Sequence, residues 1–370
     1  MSTYVFDRIT IIGLGLIGSS IARAARKNQV VKTIVGCDLS EISLAYAQKH
    51  SFIDTANSNL QEAVRGSQLV IIATPPSTLE DIAKTMAPHL QEGAIVMDVC
   101  SVKLAAIAAI EPHIPAGVHF IPAHPIAGSE HSGVSAGRAD LFEKKRVVVT
   151  PTDPKQDYTM QNVTSFWKGL GARCEAMPAA LHDLIYAYVS HLPQLLAFAA
   201  SASIEPLDDL ARANDLLQKF LRISASDPDL WIDIFILNRD NILKALDAYL
   251  DAVSHIISEF DQAPQDEIAT PADERLARCA LFPRVAASCL ITTVMHAEKK
   301  AGFSFARYAG TGFADFTCPA SQAPEGDIES ISNQYKEVVA ILKEYTERLK
   351  SFRKAINSGE DLFPLPPGEG

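Results

Sequence analysis

Three short stretches carry residues whose types and spacing could do chemistry. The first is His124-Pro-Ile-Ala-Gly-Ser-Glu130, which follows the apolar run Val118 to Pro122. Imidazole is the side chain whose ordinary pKa lies nearest neutrality, so a histidine presented to a cleft can act as a general base without much tuning. Pro125 and Gly128 signal a turn rather than an extended strand, which suits such presentation. Taken alone, His124 also reads as a packed or surface residue.

The second stretch is Gly13-Leu-Gly15-Leu-Ile-Gly18, placed after an apolar β-branched run and before an amphipathic one. In a dinucleotide fingerprint Gly13 permits the tight turn, Gly15 admits the pyrophosphate to the backbone, and Gly18 lets helix and strand pack closely. Asp38 ends the next strand-like run about 20 residues on, where a carboxylate holds the adenine ribose and repels a 2′-phosphate. Leu39, Ser40 and Glu41 supply no arginine for that phosphate, so NAD is expected rather than NADP. The third stretch is Asp98-Val-Cys-Ser101-Val-Lys103, at the carboxyl end of another apolar run. Ligands of open α/β sheets bind there, so Ser101 falls near a nicotinamide; it reads equally as a helix N-cap, and both can hold. A base, a hydroxyl and a nicotinamide together imply hydride transfer from a hydroxyl substrate.

The elements that must position these residues follow from periodicity. Apolar β-branched runs at Arg8–Ile12, Thr33–Cys37, Gln68–Ala73, Ala94–Val99, Val118–Ile121 and Arg146–Thr150 alternate with amphipathic stretches. This pattern predicts a parallel sheet with crossover helices, closed by a strand over Ala172–Met177. Ser40 reads as an N-cap, and Ser77-Thr-Leu-Glu80 has capping-box spacing. From Pro178 onward Leu/Ala-rich stretches with three- and four-residue spacing replace the strands. The fold class is therefore α/β: a Rossmann-type dinucleotide-binding domain (1–177) followed by an all-α domain. The tail from 358 to 370 has no periodicity and is expected to be flexible.

Net charge −11 and the lack of a Lys/Arg run exclude a phosphate-backbone partner. The six cysteines are scattered without metal or redox spacing, as in a reduced cytosolic protein. No metal site, signal peptide or membrane span is expected, and the cytoplasm is the expected compartment.

The nucleotide loop with Gly36-Cys-Asp38-Leu-Ser, the Asp98–Lys103 stretch, the His124–Glu130 segment, His182-Asp183, Ser190-His191-Leu-Pro and Arg222-Ile-Ser-Ala-Ser-Asp-Pro-Asp-Leu-Trp231 resemble the prephenate and arogenate (cyclohexadienyl) dehydrogenases of tyrosine biosynthesis. The resemblance runs over residues 8 to 257, and the His124 segment is its specific element. It implies that His124 takes the proton of the ring C4 hydroxyl while C4 gives its hydride to NAD, and that Ser101 bonds this hydroxyl and orients the histidine. It implies that Arg222 binds a substrate carboxylate, and that His191, Ser129, Glu130 and Gln194 line the pocket. It gives Leu16, Ile17 and Thr74 to the cofactor along with the glycines and Asp38. Gln194 stands where the family often has histidine, which leaves prephenate and arogenate both open. A β-hydroxy acid dehydrogenase and a non-catalytic NAD-binding regulator are the competing readings.

One family element is displaced. The glycine-rich stretch usual before the arginine is absent at Leu216–Leu221 and occurs later, as Gly310-Thr-Gly-Phe-Ala-Asp315-Phe-Thr317. His191-Leu-Pro-Gln-Leu-Leu-Ala resembles Leu281-Phe-Pro-Arg-Val-Ala-Ala, and Arg222-Ile-Ser-Ala-Ser falls opposite Cys318-Pro-Ala-Ser-Gln. The helical part thus reads as an internal repeat: a substrate and dimerisation domain at 178–262 and a degenerate copy at 263–357. Extra helices that merely pack on the domain are the simpler reading. The expected assembly is either a homodimer through the helical domains or a single-chain pseudo-dimer in which Asp315 braces Arg222.

Overall fold

The computed structural model describes residues 4–129, 131–152, 157–204, 218–219, 222–261, 277, 281–321 and 335–359. The chain divides into two compact units, Met1–Asp183 and Leu184–Gly370.

The first unit is built on six parallel strands: β1 (Phe6–Ile12), β2 (Val31–Cys37), β3 (Thr55–Asn57), β4 (Leu69–Ile72), β5 (Ile95–Asp98) and β6 (His119–Phe120). Their order is β3-β2-β1-β4-β5-β6. This is the doubly wound arrangement, whose switch point lies between β1 and β4, where ligands bind beyond the strand ends. The helices α1 (Leu16–Lys27), α2 (Glu41–Lys49), α3 (Leu60–Ala63), α4 (Leu79–Met86) and α5 (Lys103–Ile110) connect them. In β1, Ile9 and Ile11 join the core of one face and Ile12 that of the other, as a strand covered on both sides requires.

The remaining strands depart from the parallel sheet the sequence predicts. β7 (Ala123–Pro125), β8 (Arg146–Val149) and β9 (Arg173–Ala176) form a separate sheet, with β7 antiparallel to β8 and β8 parallel to β9 across α6 (Asp157–Gly169). His124 therefore lies on a strand, opposite Val148, and not in a turn. Pro125 is tolerated because β7 is an edge strand, where a missing donor need not break a ladder. Ser40 caps α2 by accepting from Ser43 N at 3.2 Å. The capping box expected at Ser77 is not formed, because Pro76–Thr78 makes a 3₁₀ turn that delays α4 to Leu79.

The helix α7 (Ala179–Tyr186) spans the division between the units and passes into a π-helical turn, Ala187–His191. In the second unit follow α8 (Leu192–Ile204), α9 (Pro228–Leu237), α10 (Arg239–Asp261), α11 (Phe282–Ala301), α12 (Thr311–Ser321) and α13 (Tyr335–Ser358). Among the described residues this unit contains no strand, and no helix is long and apolar enough to cross a membrane. The tail expected to be flexible lies outside the described residues apart from Ser358 and Gly359.

Candidate active site

The glycine loop sits at the switch point. Gly13 has φ +88°, and a Cβ there would stand 2.5 Å from the Ala73 carbonyl oxygen and 2.9 Å from Thr74 Cγ2. A Cβ on Gly18 would fall 1.9 Å from the Gly13 carbonyl oxygen, so this glycine serves helix–strand packing. At Gly15, by contrast, a Cβ would meet nothing within 4 Å, so the loop backbone is open where a pyrophosphate would approach. Leu16 and Ile17 begin α1 beside it, both half-buried. Asp38 accepts from Leu14 N at 2.7 Å and from Ser40 N at 2.8 Å, which fixes its carboxylate beside the loop. This arrangement fits a dinucleotide at both its pyrophosphate and its ribose end.

A chain of buried polar groups stands behind His124. Its Nδ1 is 2.8 Å from Nε2 of His182, whose Nδ1 is 2.8 Å from Asp183 Oδ1. The Asp183 carboxylate also accepts the Lys103 and Leu104 backbone N–H groups at 2.8 and 2.9 Å, so it caps the first turn of α5 from 80 residues along the chain. Ser101 is therefore not the cap of this helix, and it stands half-buried two residues before Lys103. The tautomers follow from the network. Asp183 can only accept, so the His182 proton lies on Nδ1. His182 Nε2 then accepts from His124 Nδ1–H, which leaves the lone pair of His124 on Nε2. Burial, aided by the Lys103 cation, holds the His182 pKa well below 6.5 and keeps this ring neutral.

Lys103 and Asp98 form a fully buried ion pair. Lys103 Nζ also donates to the Ala123 carbonyl at 2.6 Å, and Asp98 accepts from Cys100 N at 2.9 Å. The pair ties β5, the turn carrying Ser101 and the strand carrying His124 into one rigid frame, as a preorganised site needs.

In the helical unit, His191 is buried at the end of the π-helical turn; its Nδ1 accepts from Asn238 Nδ2 at 3.1 Å and its ring meets Trp231 edge-on at 6.2 Å. Gln194 is buried and donates to the Ile223 carbonyl at 2.7 Å, immediately after Arg222. Arg222 is half-exposed and paired through Nη2 with Asp315 of α12.

The sequence-derived residues thus fall into two groups. Gly13, Gly15, Gly18, Asp38 and Thr74 lie beyond the carboxyl ends of β1, β2 and β4 in the first unit, which also carries Ser101 and His124, and His191, Gln194 and Arg222 share the helical unit. Ser129 is exposed and its hydroxyl accepts from His131 N at 3.2 Å. Glu130 lies outside the described residues. Sequence reasoning gave no role to His182, Asp183, Lys103 or Asp98. The available signals were charged or polar residues inside apolar runs: Asp98 and Lys103 bracketing Ser101, and His182-Asp183 within a Leu/Ala-rich stretch. Among the described residues no group of acids, histidines and cysteines could hold a metal ion.

Comparison with known proteins identifies the family. A family model described as the prephenate dehydrogenase nucleotide-binding domain matches residues 21–176, and one described as the prephenate dehydrogenase dimerization domain matches 178–272. The cyclohexadienyl dehydrogenase of Zymomonas mobilis is 32% identical over 252 residues, covering 66% of this chain and 86% of the relative. The prephenate dehydrogenase of Bacillus subtilis is 30% identical over 269 residues, covering 71% and 72%. The crystal structure of prephenate dehydrogenase from Aquifex aeolicus in complex with hydroxyphenyl propionate and NAD+ superposes with TM-score 0.62 at 30% identity, over 68% of this chain and 89% of that one. Arogenate dehydrogenase of Synechocystis gives TM-score 0.58 at 26% identity, over 69% and 93%. With the two models together matching residues 21–176 and 178–272, this chain belongs to the prephenate dehydrogenase family.

Proposed function

We propose that the protein catalyses the NAD-dependent oxidative decarboxylation of prephenate, arogenate or both, a step of tyrosine biosynthesis. The observation that carries this reading is the His124–His182–Asp183 chain, which orients His124 and sets its lone pair on Nε2. When bound, NAD would supply the acceptor for the hydride leaving ring C4.

His124 Nε2 takes the C4 hydroxyl proton as the hydride departs, and the ring oxygen becomes a carbonyl. Ser101 holds that oxygen in line with the imidazole. The ring carboxylate then leaves as carbon dioxide; the electron pair of its broken bond enters the ring, which becomes aromatic, and the oxygen takes up a proton as a phenol. Aromatisation drives this second step, so the protein need supply only position, a base and a cationic anchor. Arg222 is assigned that anchor, because a guanidinium pairs a carboxylate through two parallel hydrogen bonds. The buried Gln194, bonded to the backbone beside Arg222, supports a part in holding the anchor rather than in contacting the substrate side chain.

The test is to mix the purified protein with NAD and each substrate, follow NADH, and identify the product. Hydroxyphenylpyruvate from prephenate or tyrosine from arogenate supports the reading and assigns the side-chain preference. NAD binding without turnover of either would reject it in favour of a β-hydroxy acid substrate or a regulatory role.

A further inference from the structure

The two long helices of the second unit meet at matching positions. Tyr249 is the eleventh residue of α10 and Tyr345 the eleventh of α13. Both are fully buried, their hydroxyl oxygens are 3.4 Å apart, and their rings cross at 86°. Tyr249 donates to the Ala286 carbonyl in α11 at 3.2 Å, and Tyr345 donates to the Leu196 carbonyl in α8 at 3.3 Å. Leu196 lies five residues after His191 and Ala286 five residues after Leu281, the two positions that the sequence resemblance aligns. The backbone repeats as well: it is π-helical over Ala187–His191 and again at Ala277 and Leu281, and a proline follows two residues later in each case. Helix packing is crossed in the same way, α10 against α11 and α13 against α8, with α10 and α13 against each other. Residue i meeting j while the equivalent of i meets the equivalent of j is the signature of an isologous, two-fold interface.

We propose that the helical unit is a dimer folded into one chain: residues 184–261 and 277–358 pair as two copies of one domain, and the second copy supplies Asp315 to position Arg222 of the first. The role given to Arg222 rests on the function proposed above; the pairing does not. In the register that equates Tyr249 with Tyr345, Arg222 corresponds to Cys318 and Asp315 to Lys219. A symmetric dimer would build the arginine–aspartate pair twice. Here the mirror positions hold lysine and cysteine, so the chain carries one substrate anchor.

Charge placement selects the pairing of unlike copies against that of like copies from two chains. Asp247 and Lys343 are the ninth residues of α10 and α13. Asp247 pairs with Arg353 of the second copy at 2.5 and 3.0 Å, and Lys343 pairs with Asp261 of the first at 3.1 Å. Were two first copies from separate chains to pair, Asp247 would face Asp261; two second copies would set Lys343 against Arg353. Exposed pairs of this kind contribute little to stability, but like charges placed against each other discriminate between partners.

Light scattering, kinetics and melting test the proposal together on the full chain. Light scattering at micromolar concentration is expected to give the mass of one chain, 40.0 kDa; a stable dimer would overturn the pairing. Asp315→Ala is expected to raise KM for the substrate about tenfold, with kcat and NAD affinity nearly unchanged, and Asp315→Glu to restore most of the loss. An unchanged KM in Asp315→Ala would overturn the positioning role. Asp247→Arg should lower the melting temperature by about 2 °C and Arg353→Asp in the same chain should recover it. Equal losses in the single and double variants would count against the charge selection. A wild-type chain without turnover would reject the proposed function alone, since mass and melting read the pairing without substrate.

Discussion

His124 and His182 meet edge to face, with Nδ1 of the first 2.8 Å from Nε2 of the second and their ring centroids 5.0 Å apart. The bond passes the polarity of Asp183 through a neutral ring to the base. In Asp183→Asn the amide oxygen can replace only one of the two carboxylate oxygens: Oδ1 accepts from both Lys103 N and His182 Nδ1, and Oδ2 from Leu104 N. The orientation that satisfies His182 and Lys103 sets the NH₂ against the Leu104 N–H, and the neutral oxygen no longer stabilises, through His182, the positive charge that forms on His124. We expect kcat to fall by about tenfold or more with NAD affinity little changed, and the melting temperature to drop with the lost bond to α5. Steady-state kinetics alongside NAD titration would check this; an Asp183→Asn enzyme with unchanged kcat would break the link between Asp183 and the base.

The buried His182 also predicts how stability depends on acid. Its folded-state pKa is lowered, chiefly by burial, so below 6.5 the unfolded chain binds a proton that the folded chain refuses. The sign is therefore that stability is present above this value and falls as pH drops below it, by at most about 1.4 kcal/mol per pH unit for one proton. Urea unfolding at several pH values between about 7 and about 5 should show this slope, and His182→Gln should remove it. A variant with the same slope as wild type would place the acid sensitivity elsewhere.

Gly15 and Gly18 should separate binding from folding. Gly18→Ala drives a methyl to 1.9 Å from the Gly13 carbonyl oxygen. Backbone must move to relieve it, at a cost of roughly 1–3 kcal/mol or more. Gly15→Ala meets no protein atom within 4 Å and has φ −67°, which alanine adopts freely. It should keep wild-type stability to within about 0.5 kcal/mol while weakening NAD binding by tenfold or more, because the methyl occupies the approach of the pyrophosphate. Thermal melting and NAD titration of the two variants would show opposite patterns if this assignment holds.

Sequence made most of this legible where local rules act alone. The strands β1, β2, β4 and β5 and the glycine loop follow from apolar runs and turn chemistry, and each lies within two residues of its expected limits. The strand β7 was hidden, because Pro125 and Gly128 carry turn signals, and only the antiparallel partner β8 makes an edge strand there. The cap of α5 was equally out of reach: Val102 offers no side-chain acceptor, and Asp183 arrives from another helix. The bond between His124 and His182 joins residues 58 apart and has no periodicity to announce it. The Arg222–Asp315 pair was anticipated because a displaced family motif drew attention to it, a likeness of sequence rather than a consequence of spacing.

Lys103 joins stability to chemistry in one side chain. Its ammonium is wholly buried against Asp98 and the Ala123 carbonyl. Lys103→Met would leave the Asp98 carboxylate without its cation, and we expect about 3–5 kcal/mol of lost stability, since an uncompensated buried charge is the costly case. Adding Asp98→Asn removes the charge and should return much of that loss, read as the urea midpoint at constant m. The double variant then decides whether the ion pair is only structural. Lys103 holds the carbonyl immediately before His124, so the double variant loses that tether even when its stability returns. A recovered midpoint with kcat still reduced about tenfold or more would mark Lys103 as a positioning residue for the base. Recovery of both would make the pair a core feature alone.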